Sequence, residues 1–316
     1  MMEKRCLICG VALTENNLHY HAKCMKKLFH STKAPTFNYT QDELNELAKA
    51  LIKKRISVPG VQPKLSLHLE RGDAADNSRL TLVGLEGDYI LKPQTPQWQF
   101  LPEAEHFCML FARLCKISTV EFGLIPLQSG EFAYITRRID RSKNGALHME
   151  DFCQLTNKLT SQKYHGSMEQ VGKAIREYSS MPGLDAVRFF ELTLFCYLTG
   201  NSDMHLKNFS LLRLEDGRYE LTPAYDLVPV KILLPADNEE LALAMCGKKS
   251  NLKYGDFASF ADNIGLTVTQ FEKTLKNIQR NSEKKLSEAL ERSFMPLEMQ
   301  QNFKKIFLAR LGKLLP

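Results

Sequence analysis

Residues 199–212 read Thr199-Gly-Asn-Ser-Asp-Met-His-Leu-Lys-Asn-Phe-Ser-Leu-Leu212, and Tyr225-Asp226-Leu227-Val228 follows after a short interval. Asp203 and Asn208 stand five residues apart, directly behind a long apolar helical pattern at 185–198. Phe189, Phe190, Thr193, Leu194, Tyr197 and Leu198 occupy the inward positions of that pattern, and Gly200 is placed to end it. Residues 209–214 and 219–222, joined by Glu-Asp-Gly-Arg, predict a hairpin that delivers Asp226. An Asp, an Asn at plus five and a later Asp are the parts that phosphoryl transfer uses. The first orients or deprotonates an attacking hydroxyl, and the other two hold Mg²⁺ on nucleotide phosphates. D-x4-N is weak by itself, because Asp and Asn are common loop formers. A phosphate-covering turn and a lysine are therefore required elsewhere in the chain.

Both have candidates upstream. Ser57-Val58-Pro59-Gly60-Val61-Gln62-Pro63-Lys64 sets a Pro-Gly type II turn ahead of an alternating strand at 65–69. Its backbone N–H groups, with Lys64, suit nucleotide phosphates, although a surface hairpin turn explains the same residues. Strand patterns at 80–85 and 88–92 follow, and the second ends on Lys92. A lysine there usually faces solvent; beside a phosphate-covering turn it becomes the contact to the α- and β-phosphates. Leu101-Pro102-Glu103 opens a helix with Pro in its first turn and Phe107, Leu110, Phe111 and Leu114 as its stripe. Glu103 or Glu105 is placed to pair with Lys92, against the plainer reading of a carboxylate complementing the helix dipole. Strands at 120–126 and 132–138 come next, the second expected to cross between lobes with its backbone toward the adenine.

From Met149 onward the patterns turn helical, with 169–178 and 185–198 the clearest and 256–314 divided into three or four amphipathic helices, such as 269–278 and 284–294. The class is α+β with two lobes: a small β-rich N-lobe at 31–138 and a mostly helical C-lobe at 139–316. Near the start, Thr40 caps a helix through Glu43, with Leu44, Leu47, Ala48 and Leu51 on one face.

Residues 1–30 form a separate arm. Cys6-Leu-Ile-Cys9-Gly10 is followed by His19-Tyr-His21-Ala-Lys-Cys24, a plausible Cys3His set for structural Zn²⁺. His21 is the better fourth ligand by its spacing to Cys24, with His19 the rival. The alternative is three free thiols on a polar segment. The other five cysteines lie singly in apolar contexts and read as reduced core residues.

Apolar content of 44% with 25% charged residues is that of an ordinary globular chain. No apolar run is long enough to span a membrane, and the first residues lack a secretory core, so a cytoplasmic location is expected. Net charge is +6, all of it from residues 248–316, where thirteen Lys and Arg face seven Asp and Glu. Solvated helix faces account for this better than nucleic-acid binding, since aromatic interleaving and Arg clusters are missing.

Turn and strand, lysine strand, helix with glutamate, core helix, D-x4-N and final Asp occur in kinase order. Together they resemble the HipA-type serine/threonine kinases of bacterial toxin–antitoxin modules. The matching stretches are Ser57 to Lys64, Tyr89-Ile-Leu-Lys-Pro93, Glu103-Ala-Glu-His106, Arg137-Arg-Ile-Asp-Arg141, Gly200 to Phe209 and Leu221-Thr-Pro-Ala-Tyr-Asp226. The resemblance implies a bilobal protein-kinase-like fold and roles residue by residue. Asp203 would be the catalytic base, Asn208 and Asp226 the Mg²⁺ ligands, Lys207 a neutralising charge near the γ-phosphate, and His205 a brace for the loop. Lys92, Glu105, Gly60, Val61, Gln62, Lys64, Arg137 and Arg138 would surround ATP, and Ser57 would be the autophosphorylation site.

Only 56 residues precede Ser57, which is more like the short HipT kinases than full-length HipA. That likeness implies two partners, a small HipS-like antitoxin and a DNA-binding HipB-like one, with an aminoacyl-tRNA synthetase as substrate. HipT relatives can carry Ser-x-Ser, where this chain has Ser57-Val58-Pro59, so a single phosphorylation site is expected there. Two other readings fit the residues less well: a small-molecule kinase of the aminoglycoside or choline type, and a non-catalytic binding component.

Overall fold

A computed structural model of the chain describes residues 4–14, 19–31, 33–54, 62–70, 78–83 and 87–314. Ser57, Val58, Pro59, Gly60 and Val61 lie outside the described residues. Packing divides the chain into two units, one comprising Met1–Phe107, Val120–Ile139 and Glu291–Met295, the other Cys108–Thr119, Asp140–Leu290 and Pro296–Pro316.

The first unit contains α1 (Ala22–Phe29), α2 (Gln41–Lys54), β1 (Leu65–Glu70), β2 (Arg79–Val83), β3 (Tyr89–Lys92), the start of α3 (Leu101–Leu114), β4 (Phe122–Pro126) and β5 (Phe132–Arg137). The strands pair antiparallel in the order β2-β1-β3-β5-β4. Alternation sets the register, since Leu65, Leu67 and Leu69 of β1 are buried on one face. Leu65 stands opposite Leu91, and Lys92 opposite Tyr134. α2 opens with the capping box read from its sequence: Thr40 N–H donates to Glu43 Oε2 at 2.7 Å, and Glu43 N–H donates to Thr40 Oγ1 at 3.3 Å. α3 is buried on all sides, with Ala104, Phe107, Cys108, Met109, Phe111 and Ala112 fully enclosed.

The second unit begins with the small hairpin β6 (Arg141–Ser142) and β7 (Gly145–Ala146), then β8 (Met149–Asp151), α4 (Phe152–Leu155), α5 (Met168–Tyr178) and α6 (Pro182–Thr199). It continues with β9 (Ser210–Arg213), β10 (Tyr219–Leu221), α7 (Val230–Leu233), α8 (Tyr254–Asn263), α9 (Val268–Glu291) and α10 (Leu297–Lys313). α6 is the central column. Phe189 meets Phe209 and Phe260, Phe190 meets Phe271, and Phe195 meets Phe111, with ring centroids 5.2–6.0 Å apart. Asp185, fully buried in its first turn, accepts from Ser179 Oγ at 2.6 Å and from Leu221 N–H at 2.8 Å. One carboxylate therefore ties the start of α6 to β10.

The α+β, two-lobed class holds, and two elements differ from their sequence reading. Met149–Asp151 is not helical but a third strand, pairing with β9 in a β10-β9-β8 sheet. Three residues are too few to display a period, so only the partner strand reveals it. The separate helices read at 269–278 and 284–294 are one continuous α9, because the polar stretch between them holds no Gly or Pro to break it. No described helix is long and apolar enough to cross a membrane.

Candidate active site

The second unit brings the D-x4-N stretch into a tight loop behind α6. Gly200 caps that helix at φ 74°, and a Cβ there would fall 2.9 Å from Lys231 Cβ, so both backbone and space call for glycine. Asn201 Oδ1 accepts from Asp203 N–H at 3.2 Å, and Asp203 C=O accepts from His205 N–H at 2.8 Å. Asn208 Nδ2 donates to that same carbonyl at 2.9 Å. With its NH2 end committed, the Asn208 amide presents its oxygen as the atom that could take a cation. Asp226 follows β10 at φ 60°, a left-handed conformation that costs energy in a non-glycine residue and recurs at functional sites. The neighbouring Tyr225 hydroxyl bonds Ser210 Oγ at 2.7 Å and donates to Lys207 C=O at 3.1 Å, fastening this segment to the loop.

Asp203 and Asp226 both act electrostatically on His205 and Tyr164, so the two carboxylates share one neighbourhood. Burial dominates at His205 and pushes its imidazole down to about 4, against the opposing pull of the two acids, which keeps it neutral. An Asn amide and an Asp carboxylate are hard oxygen donors of the kind Mg²⁺ takes, and they fit it.

Three participants were not read from the sequence. Tyr164 donates its hydroxyl to Asp203 Oδ1 at 2.5 Å and sets its ring edge-on to His205, centroids 5.0 Å apart. Burial, then the bond to Asp203, raises its phenol above the ordinary range. Asp151 receives Lys207 Nζ at 2.6 Å on Oδ2 while its Oδ1 caps α4 by accepting from Gln154 N–H. Asn201 orients the Asp203 backbone. Tyr164 and Asp151 stand 39 and 56 residues from their partners, a separation at which spacing carries no signal.

In the first unit, Lys92 and Glu105 form a buried ion pair, Nζ to Oε1 2.6 Å, with side chains 3% and 0% exposed. Lys92 also lies over the Tyr134 ring at 5.4 Å. A strand lysine paired with a helix glutamate is the arrangement that kinases use to hold nucleotide phosphates. Glu103 is not brought to Lys92; burial raises its carboxyl to about 7, and its Oε2 is enclosed without a hydrogen-bond partner. Arg137 stands opposite Tyr89, three residues along from the Lys92–Tyr134 pair. Its guanidinium donates to Lys27 C=O at 3.2 Å and to His30 at the end of α1. Arg138 N–H donates to Asp88 C=O at 2.8 Å. Gln62 is half-buried and Lys64 exposed at the foot of β1.

Still within the first unit, the ligand atoms of Cys6, Cys9, His21 and Cys24 lie within 4.8 Å of one another. Tetrahedral thiolate–zinc geometry, with Zn–S of about 2.3 Å, places sulfurs roughly 3.8 Å apart, so the group fits the ion. His21 Nδ1 is 3.4 Å from Cys9 Sγ, and its Nε2 lies 3.1 Å from Ala12 C=O. A proton on Nε2, donated to that carbonyl, turns the Nδ1 lone pair toward the thiols. Gly10, at φ 69°, closes the Cys-x2-Cys turn by donating to Cys6 C=O at 2.8 Å. His19 stays outside the group, and its C=O accepts from Leu7 N–H at 2.9 Å.

A two-lobed α+β chain with a buried strand-lysine and helix-glutamate pair, and a D-x4-N loop ahead of a strained Asp, is an enzyme of the kinase class. The HipA-like C-terminal domain matches residues 56–286, and the chain belongs to that family. A Haemophilus influenzae protein described as "Putative kinase" is 29% identical over 272 residues, covering 76% of each chain. The Shewanella oneidensis serine/threonine-protein kinase toxin HipA is 28% identical over 262 residues, 75% of this chain and 58% of that one. The chain thus spans three quarters of the first relative and just over half of the second. Among solved structures, HipA of S. oneidensis, in a complex with HipB and operator DNA, superposes with a TM-score of 0.69 at 23% identity, over 86% of this chain and 70% of that one. The Helicobacter pylori proinflammatory kinase CtkA does so with a TM-score of 0.55 at 18% identity, over 79% and 93%. These two likenesses bear on the fold.

Proposed function

We propose that the chain transfers the γ-phosphate of ATP, with Mg²⁺, to a serine or threonine of a protein substrate, and that it is the toxin of a toxin–antitoxin module. The observation that carries the reading is the catalytic loop. Asp203 is held by Asn201 and Tyr164, and Asn208 by the Asp203 carbonyl, leaving one carboxylate for a hydroxyl and one amide oxygen for a cation. Asp226 is the second oxygen ligand, and the Lys92–Glu105 pair supports nucleotide phosphates. When bound, Mg²⁺ neutralises phosphate charge. Gly60, Val61, Gln62 and Lys64 cover ATP from the Pro-Gly turn, and Arg138 lies beside it. Ser57 at the edge of that turn is the autophosphorylation site; a phosphate there adds nearly two negative charges where those of ATP belong.

A translation protein of the aminoacyl-tRNA synthetase class is the proposed substrate, and a HipB-like DNA-binding antitoxin with a small HipS-like one are the proposed partners. The named toxin relative and the complex of its solved counterpart with HipB support the toxin role and the HipB-like partner. Zn²⁺ in the Cys3His cluster is the proposed structural ion. Phosphopeptides compared after induced expression of wild type and of Asp203→Asn test the substrate. The expected result is growth arrest with new phosphoserine or phosphothreonine on a translation protein, in wild type alone. Arrest without any such site contradicts the substrate assignment.

A further inference from the structure

The two residues that separate Cys6 from Cys9 reach β4 and α3 of the first unit. Leu7 C=O accepts from Leu124 N–H of β4 at 2.8 Å. Ile8 C=O lies 3.1 Å from His106 Nε2 on α3. Both side chains are buried, and Ile8 packs so closely on β4 that a Cβ at Gly123 would fall 2.8 Å from it. Around this centre, Tyr20 Oη donates to Leu124 C=O at 2.9 Å and Tyr89 Oη to Leu28 C=O at 3.0 Å. Arg5 donates to Glu291 C=O at 2.6 Å.

His106 is fully enclosed, edge-on to Phe122 and Phe294 with centroids 5.4 Å away in each case. It follows Glu105, whose carboxylate holds Lys92 at 2.6 Å. A metal that fixes the Cys-x2-Cys turn therefore fixes the carbonyl against which this part of α3 rests.

We propose that one Zn²⁺ bound by Cys6, Cys9, His21 and Cys24 serves as a strut for α3: it aims the Ile8 carbonyl at His106, a positioning residue, and so keeps Glu105 on Lys92. Nucleotide affinity then depends on a metal none of whose ligands touches the nucleotide. The physical basis is the cost of its loss. Without the ion, the turn keeps its Gly10 N–H to Cys6 C=O and Leu124 N–H to Leu7 C=O bonds but loses the cross-link of Cys6 and Cys9 to His21 and Cys24. An Ile8 carbonyl that wanders leaves a buried imidazole donor unmatched, which is costly in a dry interior. Moving α3 to relieve this disturbs an ion pair whose worth rests on close geometry in a dry setting.

The ATP consequence rests on the kinase reading above, whereas the mechanical one does not, and two readouts separate them. Full-length protein is purified without chelator, its zinc quantified, and the metal then stripped and restored as Zn²⁺ alone. Equilibrium ATP binding and hydrogen exchange of the 104–107 amides are followed throughout. The expected result is one zinc per chain, faster exchange on stripping, and a rise of about tenfold in the ATP Kd, the effect of one lost buried hydrogen bond. Both changes reverse when Zn²⁺ returns. His106→Leu leaves every ligand in place, so it carries the test if the stripped protein unfolds. It keeps its zinc yet shows the same faster exchange and weaker ATP binding, and His106→Gln, which restores a donor, recovers part of both. Absence of zinc overturns the proposal. So does a zinc-loaded His106→Leu protein with wild-type exchange at 104–107. If the loaded protein binds no ATP, the kinase reading fails and the exchange data still decide the strut.

Discussion

Asp203, the proposed base, is held in place by its neighbours. Its backbone is pinned by Asn201 and Asn208, one carboxylate oxygen is taken by Tyr164, and the enclosed His205 beside it is held neutral. That imidazole yields a pH prediction. Its folded value is depressed from 6.5 to about 4 by burial, so the unfolded chain binds the extra proton first. The stability it contributes is complete above pH 6.5 and is lost as pH falls toward 4, by up to about 3 kcal/mol. Urea midpoints measured between pH 7.5 and 4.5 should fall more for wild type than for His205→Gln; parallel curves would show that His205 is not the group responsible. At this scale the sequence was legible where chemistry is local. Asp203, Asn208 and Lys92 became candidates because, weak alone, they occur in kinase order and in stretches that resemble the family. Tyr164 and Asp151 were not, since only tertiary folding brings them to the loop.

The elements are positioned by a few residues that have no substitutes. α6 delivers the catalytic loop at one angle because Asp185 ties its first turn to β10 and Gly200 turns the chain at its last. Gly200→Ala places a side chain in left-handed backbone and 2.9 Å from Lys231 Cβ. A loss of about 1–2 kcal/mol is expected from the backbone alone, with further cost from the contact. Chemical denaturation measures the stability, and phosphotransfer should drop alongside it; an unchanged midpoint would contradict this account of the loop. Periodicity found α6 and α5 because long amphipathic or apolar runs announce themselves. It missed β8, whose three residues are a strand only by virtue of β9, and it divided α9 at a polar stretch that has no helix breaker. The Cys-x2-Cys turn was legible as a metal candidate. Its hold on α3 was not, because that runs through the main-chain carbonyl of Ile8, which leaves no mark in the sequence.

Across the molecule, the Lys92–Glu105 pair belongs to the first unit and Asp203, Asn208 and Asp226 to the second. The chain belongs to the HipA-like C-terminal domain family, and the toxin role, partners and substrate are proposed beyond that. The most direct test of the central claim is intact-mass spectrometry with peptide mapping on purified protein incubated in Mg-ATP. Wild type should gain phosphate on itself, mapped to Ser57. Asp203→Asn should gain none, and Ser57→Ala should lose that site while still phosphorylating an added synthetase substrate. Wild type and Asp203→Asn that end with the same mass, with no phosphate on any added protein, would contradict the account.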